Sequence, residues 1–254
     1  MPFCVIKSRT IKIFLFMAAV IILLGISYEG QTSAVVWFGH SSRLVPIYSV
    51  DTSEKQVAIS FDAAWGADKT EGIIEVLKEY NATATFFLVG FWVDKYPEMV
   101  KAIDEAGLEI GTHSNTHPDM AKLDEGAIKN ELETCMSKIT SITGKDIKVF
   151  RPPFGSYNNT LISTASSLGL KTIQWDVDSL DWKGLSAGEV VKRVIGRVKN
   201  GSIILMHNNA DNVLESTRLT LDWLKNKGYK VTSVGELIYN ENYTIDANGV
   251  QHQS

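Results

Sequence analysis

From Gln56 onward, short apolar runs alternate with longer stretches whose apolar positions recur every three or four residues. The runs are QVAISF (Gln56–Phe61), ATFFLV (Ala84–Val89), LEIG (Leu108–Gly111), IKVF (Ile147–Phe150), KTIQWDV (Lys171–Val177), SIILM (Ser202–Met206) and YKVTSV (Tyr229–Val234). Their length and composition predict strands of a buried parallel sheet. Between them, Ile128, Leu132, Cys135, Ile139 and Ile142 mark one face of a helix ending at Gly144. Ser186, three residues before Glu189, reads as a capping box opening another helix. Further helices are predicted over Ala67–Tyr80, Tyr96–Ala106, Asn158–Leu168 and Asn212–Lys227, with Gly107, Gly169 and Gly228 just past three of their ends.

Strand–helix alternation repeated seven times implies parallel pairing with right-handed crossovers. No glycine-rich phosphate loop follows the first run, where a nucleotide-binding sheet needs one. The pattern therefore favours an α/β barrel over residues 56–240. Residues 28–55 have no period and read as a linker or lead-in, and 241–254 as a polar, disordered tail. Ahead of them, Lys7, Arg9 and Lys12 precede the apolar run Ile13–Ser27. A basic flank followed by such a run fits a signal peptide or a short membrane anchor, with the remainder exported. Thr32-Ser33-Ala34 is a weak small-residue cleavage site, so cleaved and retained forms both remain open.

Composition adds exclusions. A net charge of −4 over 254 residues leaves no electrostatic footprint for nucleic acid. Two cysteines, Cys4 and Cys135, provide no disulfide framework, and Cys135 reads as a small core residue. The aromatic pair Phe91-Trp92 reads as packing, although Trp92 follows a strand and could line a cleft. Nothing in the sequence requires an oligomer, and a monomer is expected.

In a β/α barrel, chemistry belongs at the carboxyl ends of the strands. Asp62 follows the first run, His113 and His117 the third, Arg151 the fourth, Asp178 the fifth and His207 the sixth. The stretch THSNTHPDM (Thr112–Met120) spaces its imidazoles four residues apart, which on a helical turn aims both at one divalent ion. Pro118 should turn His117 toward extended backbone. Alone, this stretch also reads as a polar loop of hydrogen-bonding histidines. Five strands bringing such groups to one rim indicate a site.

Taken together, SFDAAWG (Ser60–Gly66), HSNTH (His113–His117), RPPFG (Arg151–Gly155), DSLDW (Asp178–Trp182) and LMH (Leu205–His207) resemble, in order, the five motifs of the polysaccharide deacetylases with a NodB-type domain, carbohydrate esterase family four. The resemblance runs from about Val57 to Leu237 and implies a distorted (β/α)7 barrel. SFDAAWG and the N-terminal run resemble the sporulation-associated subgroup often called PdaB-type. The family's activity implies hydrolysis of N-acetyl groups on a cell-wall glycan, by an extracytoplasmic protein joined to the membrane through its N-terminal segment or secreted.

The resemblance also implies roles. His113 and His117 would hold a divalent metal, expected to be zinc. Asp62 would be the base, partnered by Arg151. His207 would protonate the departing amine, supported by Asp178 or by Asp181. Leu205 and Trp182 would line the pocket, and the Phe154 backbone N–H would hold the oxyanion. One position departs from the family: Ala63 stands where a second aspartate usually ligates the metal. Weak metal occupancy follows. A glycan-binding pseudo-enzyme is the alternative, and hydrolysis of a small cyclic amide a third reading.

Overall fold

The computed structural model describes residues 43–254 together with Met17; the remaining residues of the basic N-terminal segment, and the lead-in up to 42, lie outside the described residues. Residues 43–254 form one compact unit. Its elements run in the order β1 (Ser49–Val50), β2 (Gln56–Ala63), α1 (Thr70–Glu79), β3 (Thr85–Leu88), α2 (Gly90–Lys95), α3 (Pro97–Glu105), β4 (Glu109–Thr112) and α4 (Glu125–Thr143). They continue with β5 (Val149–Phe150), α5 (Asn159–Ser167), β6 (Lys171–Thr172), β7 (Val177–Asp178), α6 (Ala187–Ile195), β8 (Ile203–His207), α7 (Val213–Asn226), β9 (Lys230–Thr232), α8 (Val234–Leu237), β10 (Tyr243–Ile245) and β11 (Val250–Gln253).

The main sheet is wholly parallel, in the order β6-β5-β4-β3-β2-β8-β7, with β9 also pairing β2. It curls into the expected distorted barrel. The run Lys171–Val177 is not one strand: it divides into β6 and β7, at opposite ends of the strand order. Residues 43–50 cover that gap. Ile47 bridges to Ile173 on one side, and Ser49 bridges to Ser202 on the other. The part of the lead-in from Arg43 is thus structural, not a linker, and Ile47 and Val50 are buried. The predicted polar tail is also ordered. β10 and β11 form an antiparallel hairpin, and β11 adds in parallel to β1. The alternation Val-Gln-His-Gln hid it, because its buried side chain is a glutamine, Gln251, satisfied by the Tyr239 backbone.

Helix boundaries follow the residues that satisfy their end groups. Asp124 accepts from Ala127 N at the start of α4, and Gly144, at φ 70°, takes the left-handed conformation past its end. Both halves of the Ser186–Glu189 capping box are made. The apolar face of α4 buries Ile128, Leu132, Cys135 and Ile139 against the sheet. Burial pushes the Cys135 thiol up to about 12, as befits an inert core residue. Among the described residues no helix is long and apolar enough to cross a membrane.

Candidate active site

The chemistry-bearing residues converge at the carboxyl end of the sheet. Parallel register sets Asp62 beside His207 on neighbouring strands, and Asp178 beside Leu205. Asp62, His113, His117, Phe154, Asp178, Trp182, Leu205 and His207 line one cleft of about 570 Å³, with Trp65 and Trp175 among its other walls. That volume suits a ligand larger than an acetamide group.

Arg151 anchors the floor. Its fully buried guanidinium donates from Nη1 to Asp62 Oδ1 at 2.8 Å, and from Nη2 to Ser60 Oγ at 2.8 Å and Gln174 O at 3.2 Å. It also lies over the Phe87 ring, 4.1 Å from the centroid. Burial pushes the Asp62 carboxyl up, but Arg151, His113 and His207 together outweigh it and hold it below the usual carboxylate range. Asp62 is an ionised carboxylate facing the cleft.

Between His113 and His117 the chain makes no helical turn. Ser114 and His117 take φ values of 70° and 58°, and His117 N donates to Ser114 Oγ at 2.9 Å. Pro118 disfavours right-handed backbone at His117, and this hydrogen bond selects the left-handed alternative over the extended one expected. Glu131, on α4, accepts from Asn115 N and Thr116 N, each at 2.8 Å, and from Thr116 Oγ1 at 2.7 Å. His113 Nδ1 lies 2.7 Å from the Arg151 carbonyl, so it carries the proton and leaves the Nε2 lone pair toward Asp62. Burial lowers both imidazoles, His117 to about 4, so both are neutral near pH 7. The 3.5 Å approach of His113 Nε2 to Asp62 Oδ2 is therefore not an ion pair.

Two neutral imidazoles with centroids 5.0 Å apart supply two metal donors, and the donor set stops there. Ala63 is fully buried and presents a methyl group. Asp62 is committed to Arg151 through one oxygen. Among the described residues no group of three His, Cys, Asp or Glu side chains has the spacing to hold a metal ion. A resident three-ligand metal does not fit these residues.

His207 lies opposite. Its Nδ1 donates to Asp181 Oδ1 at 2.8 Å, and its backbone N–H donates to Asp181 Oδ2 at 2.7 Å. Asp181, not Asp178, is therefore the carboxylate hydrogen-bonded to His207. Leu180, at φ 53°, turns the chain so that Asp178 instead accepts from Leu180 N at 2.9 Å. Burial lowers the His207 imidazole, but the Asp181 hydrogen bond and charge outweigh it and raise it. Phe154, at φ 60°, presents an exposed ring whose centroid is 4.7 Å from that of His117. Trp182 stands exposed, while Leu205 is buried in the cleft wall. Trp92 does not line the cleft. It is fully buried, and its Nε1 donates to Gly66 O at 2.7 Å. Gln174 and Glu131 lie outside every motif, and Ser60 opens one without a role assigned to it; only their contacts mark the three.

A polysaccharide deacetylase family profile matches residues 49–173. The chain is 35% identical over 205 residues to the peptidoglycan-N-acetylglucosamine deacetylase PgdA of Listeria monocytogenes, covering 81% of this chain and 43% of that protein. It is 32% identical over 191 residues to a peptidoglycan-N-acetylglucosamine deacetylase of Bacillus cereus, covering 74% and 70%. Among solved structures, BA3943 of Bacillus anthracis, described as a CE4 family pseudoenzyme, matches with a TM-score of 0.74 at 34% identity, over 76% of this chain and 68% of that one. A mutant of BA3943 is described as having restored enzymatic activity. The chain thus spans less than half of the Listeria protein but most of the other two. It belongs to the polysaccharide deacetylase family, carbohydrate esterase family four.

Proposed function

We propose that this chain hydrolyses the acetamide of an N-acetyl amino sugar in a cell-wall glycan, N-acetylglucosamine of peptidoglycan being the substrate that its relatives' names support. Asp62, kept ionised by Arg151, takes a proton from a water molecule whose oxygen attacks the acetamide carbon. The tetrahedral adduct collapses as the C–N bond breaks and protonated His207 gives its proton to the leaving nitrogen. Acetate and a free amine result. Asp181 holds the His207 ring with Nε2 free for that transfer. Leu205 and Trp182 line the acetyl and sugar positions, and the Phe154 backbone N–H is assigned to the developing oxyanion. The observation that carries this reading is one cleft holding an ionised carboxylate and an imidazole biased toward its protonated form. Sugar binding alone requires neither.

A glycan-binding pseudo-enzyme is the second reading, favoured by Ala63 and the incomplete metal set. Acetate release from peptidoglycan and N-acetylglucosamine oligomers, with zinc or cobalt added, tests both. Slow release, abolished in His207→Ala with glycan binding retained, supports the hydrolase. Binding with no acetate above the blank supports the binder. Action on a wall polymer entails an extracytoplasmic location, and the SFDAAWG motif supports a sporulation setting.

A further inference from the structure

Every exposed aromatic side chain among the described residues, apart from tyrosines, belongs to one end of the molecule. Trp65, Phe154 and Trp182 are 59%, 70% and 58% exposed and line the cleft; Phe91, 37% exposed, touches Trp65. Trp182 and Phe154 already have places in the reaction. Trp65 has none. Its neighbours Ala63 and Ala64 are buried, so the chain turns outward at the indole.

The turn is held from several sides. Gly66 takes φ 63°, a conformation that a side chain would strain. Its carbonyl accepts from the buried Trp92 indole at 2.7 Å and from Asn208 Nδ2 at 2.9 Å. The Trp65 ring meets His117 edge-on, with centroids 5.3 Å apart, and tilts against Phe91 at 6.2 Å. A large apolar surface is thus fixed in place yet left in water, which marks a contact surface and not packing. A held ring also loses little conformational entropy when something lies against it.

We propose that Trp65, backed by Phe91, is a stacking platform for a further sugar of the glycan, next to the one whose acetamide lies between Asp62 and His207. The proposal rests on the glycan reading above and deepens it: the ligand is a linked chain of N-acetyl amino sugars, not a single unit. The indole supplies an apolar face for the C–H face of a pyranose ring, while the sugar hydroxyls stay in water. The platform is continuous with the cleft, so one chain can occupy both.

The test measures binding without turnover. Affinities for N-acetylglucosamine and for its linear tetramer are compared by calorimetry, metal-free, for the wild-type chain and for Trp65→Ala, Trp65→Phe and Phe91→Ala. The wild-type chain is expected to prefer the tetramer. In Trp65→Ala the ratio of tetramer to monomer affinity should fall about tenfold, equivalent to about 1.4 kcal/mol. Trp65→Phe should keep most of the preference, and Phe91→Ala should fall between. Circular dichroism checks that each variant is folded. A tetramer preference that survives Trp65→Ala overturns the proposal, as does a wild-type chain that binds the tetramer no better than the monomer. Binding as predicted, with no acetate released under any metal, removes the hydrolase reading and leaves the platform standing.

Discussion

At the scale of single residues, charge in the cleft follows from what each group touches. His207 lies above its ordinary 6.5 and Asp62 below its ordinary 3.8, so the protonated imidazole and ionised carboxylate coexist across the interval between. Acetate release should therefore be level through that interval and fall on the alkaline side as His207 loses its proton. The His207 shift also adds stability that is fully present below 6.5 and lost as pH rises through the higher folded value. Asp181→Asn removes the largest raising influence and leaves burial opposed only by the charges of Asp62 and Asp178, so the alkaline limb should move to lower pH, as a pH–rate profile would register. An unmoved limb would mean that another group sets it. Arg151→Ala strands a buried carboxylate and should cost about 3–5 kcal/mol in urea unfolding. Much of this scale was legible in the sequence, because a residue at a strand's carboxyl end can be read from the strand itself. The choice between Asp178 and Asp181 was not: it depends on the left-handed turn at Leu180.

At the scale of elements, the loop between β4 and α4 is the part whose geometry matters most. Two of its residues hold left-handed backbone, and Glu131 satisfies two of its backbone N–H groups from a neighbouring helix. Glu131→Ala should cost about 1–3 kcal/mol by leaving those donors without their acceptor. It should also broaden the His113 and His117 ring signals in NMR spectra. Sharp, unshifted signals would show that the loop holds its shape without Glu131. The four-residue histidine spacing correctly suggested that the two rings meet, but for the wrong local reason. A left-handed turn brings them together where a helical turn was expected.

For the molecule as a whole, the two ends of the described unit fasten the barrel. β11 pairs with β1, and Ile47 and Ser49 bridge to Ile173, just after β6, and to Ser202, just before β8. Removing residues 241–254 should therefore lower the melting midpoint by at least about 4 °C, since about 2–4 °C accompanies each kcal/mol in a unit of this size. An unchanged midpoint would make the hairpin ornamental. The incomplete donor set predicts that protein purified with zinc loses the metal in a chelator wash, by metal analysis, with no change in melting midpoint. Stoichiometric retention would mean that Asp62 leaves Arg151 to complete a site.

The alternation of strands and helices, the buried faces, the caps, and the strand ends that carry polar groups could be read from the chain's own pattern, since all of these depend on neighbours a few residues away. Long-range packing set the rest: Asp181 bonds His207, Glu131 clamps the histidine loop, the last residues pair with β1, and Trp65 stands at the mouth of the cleft. Those outcomes depend on groups from distant parts of the chain meeting in space, which no local period encodes.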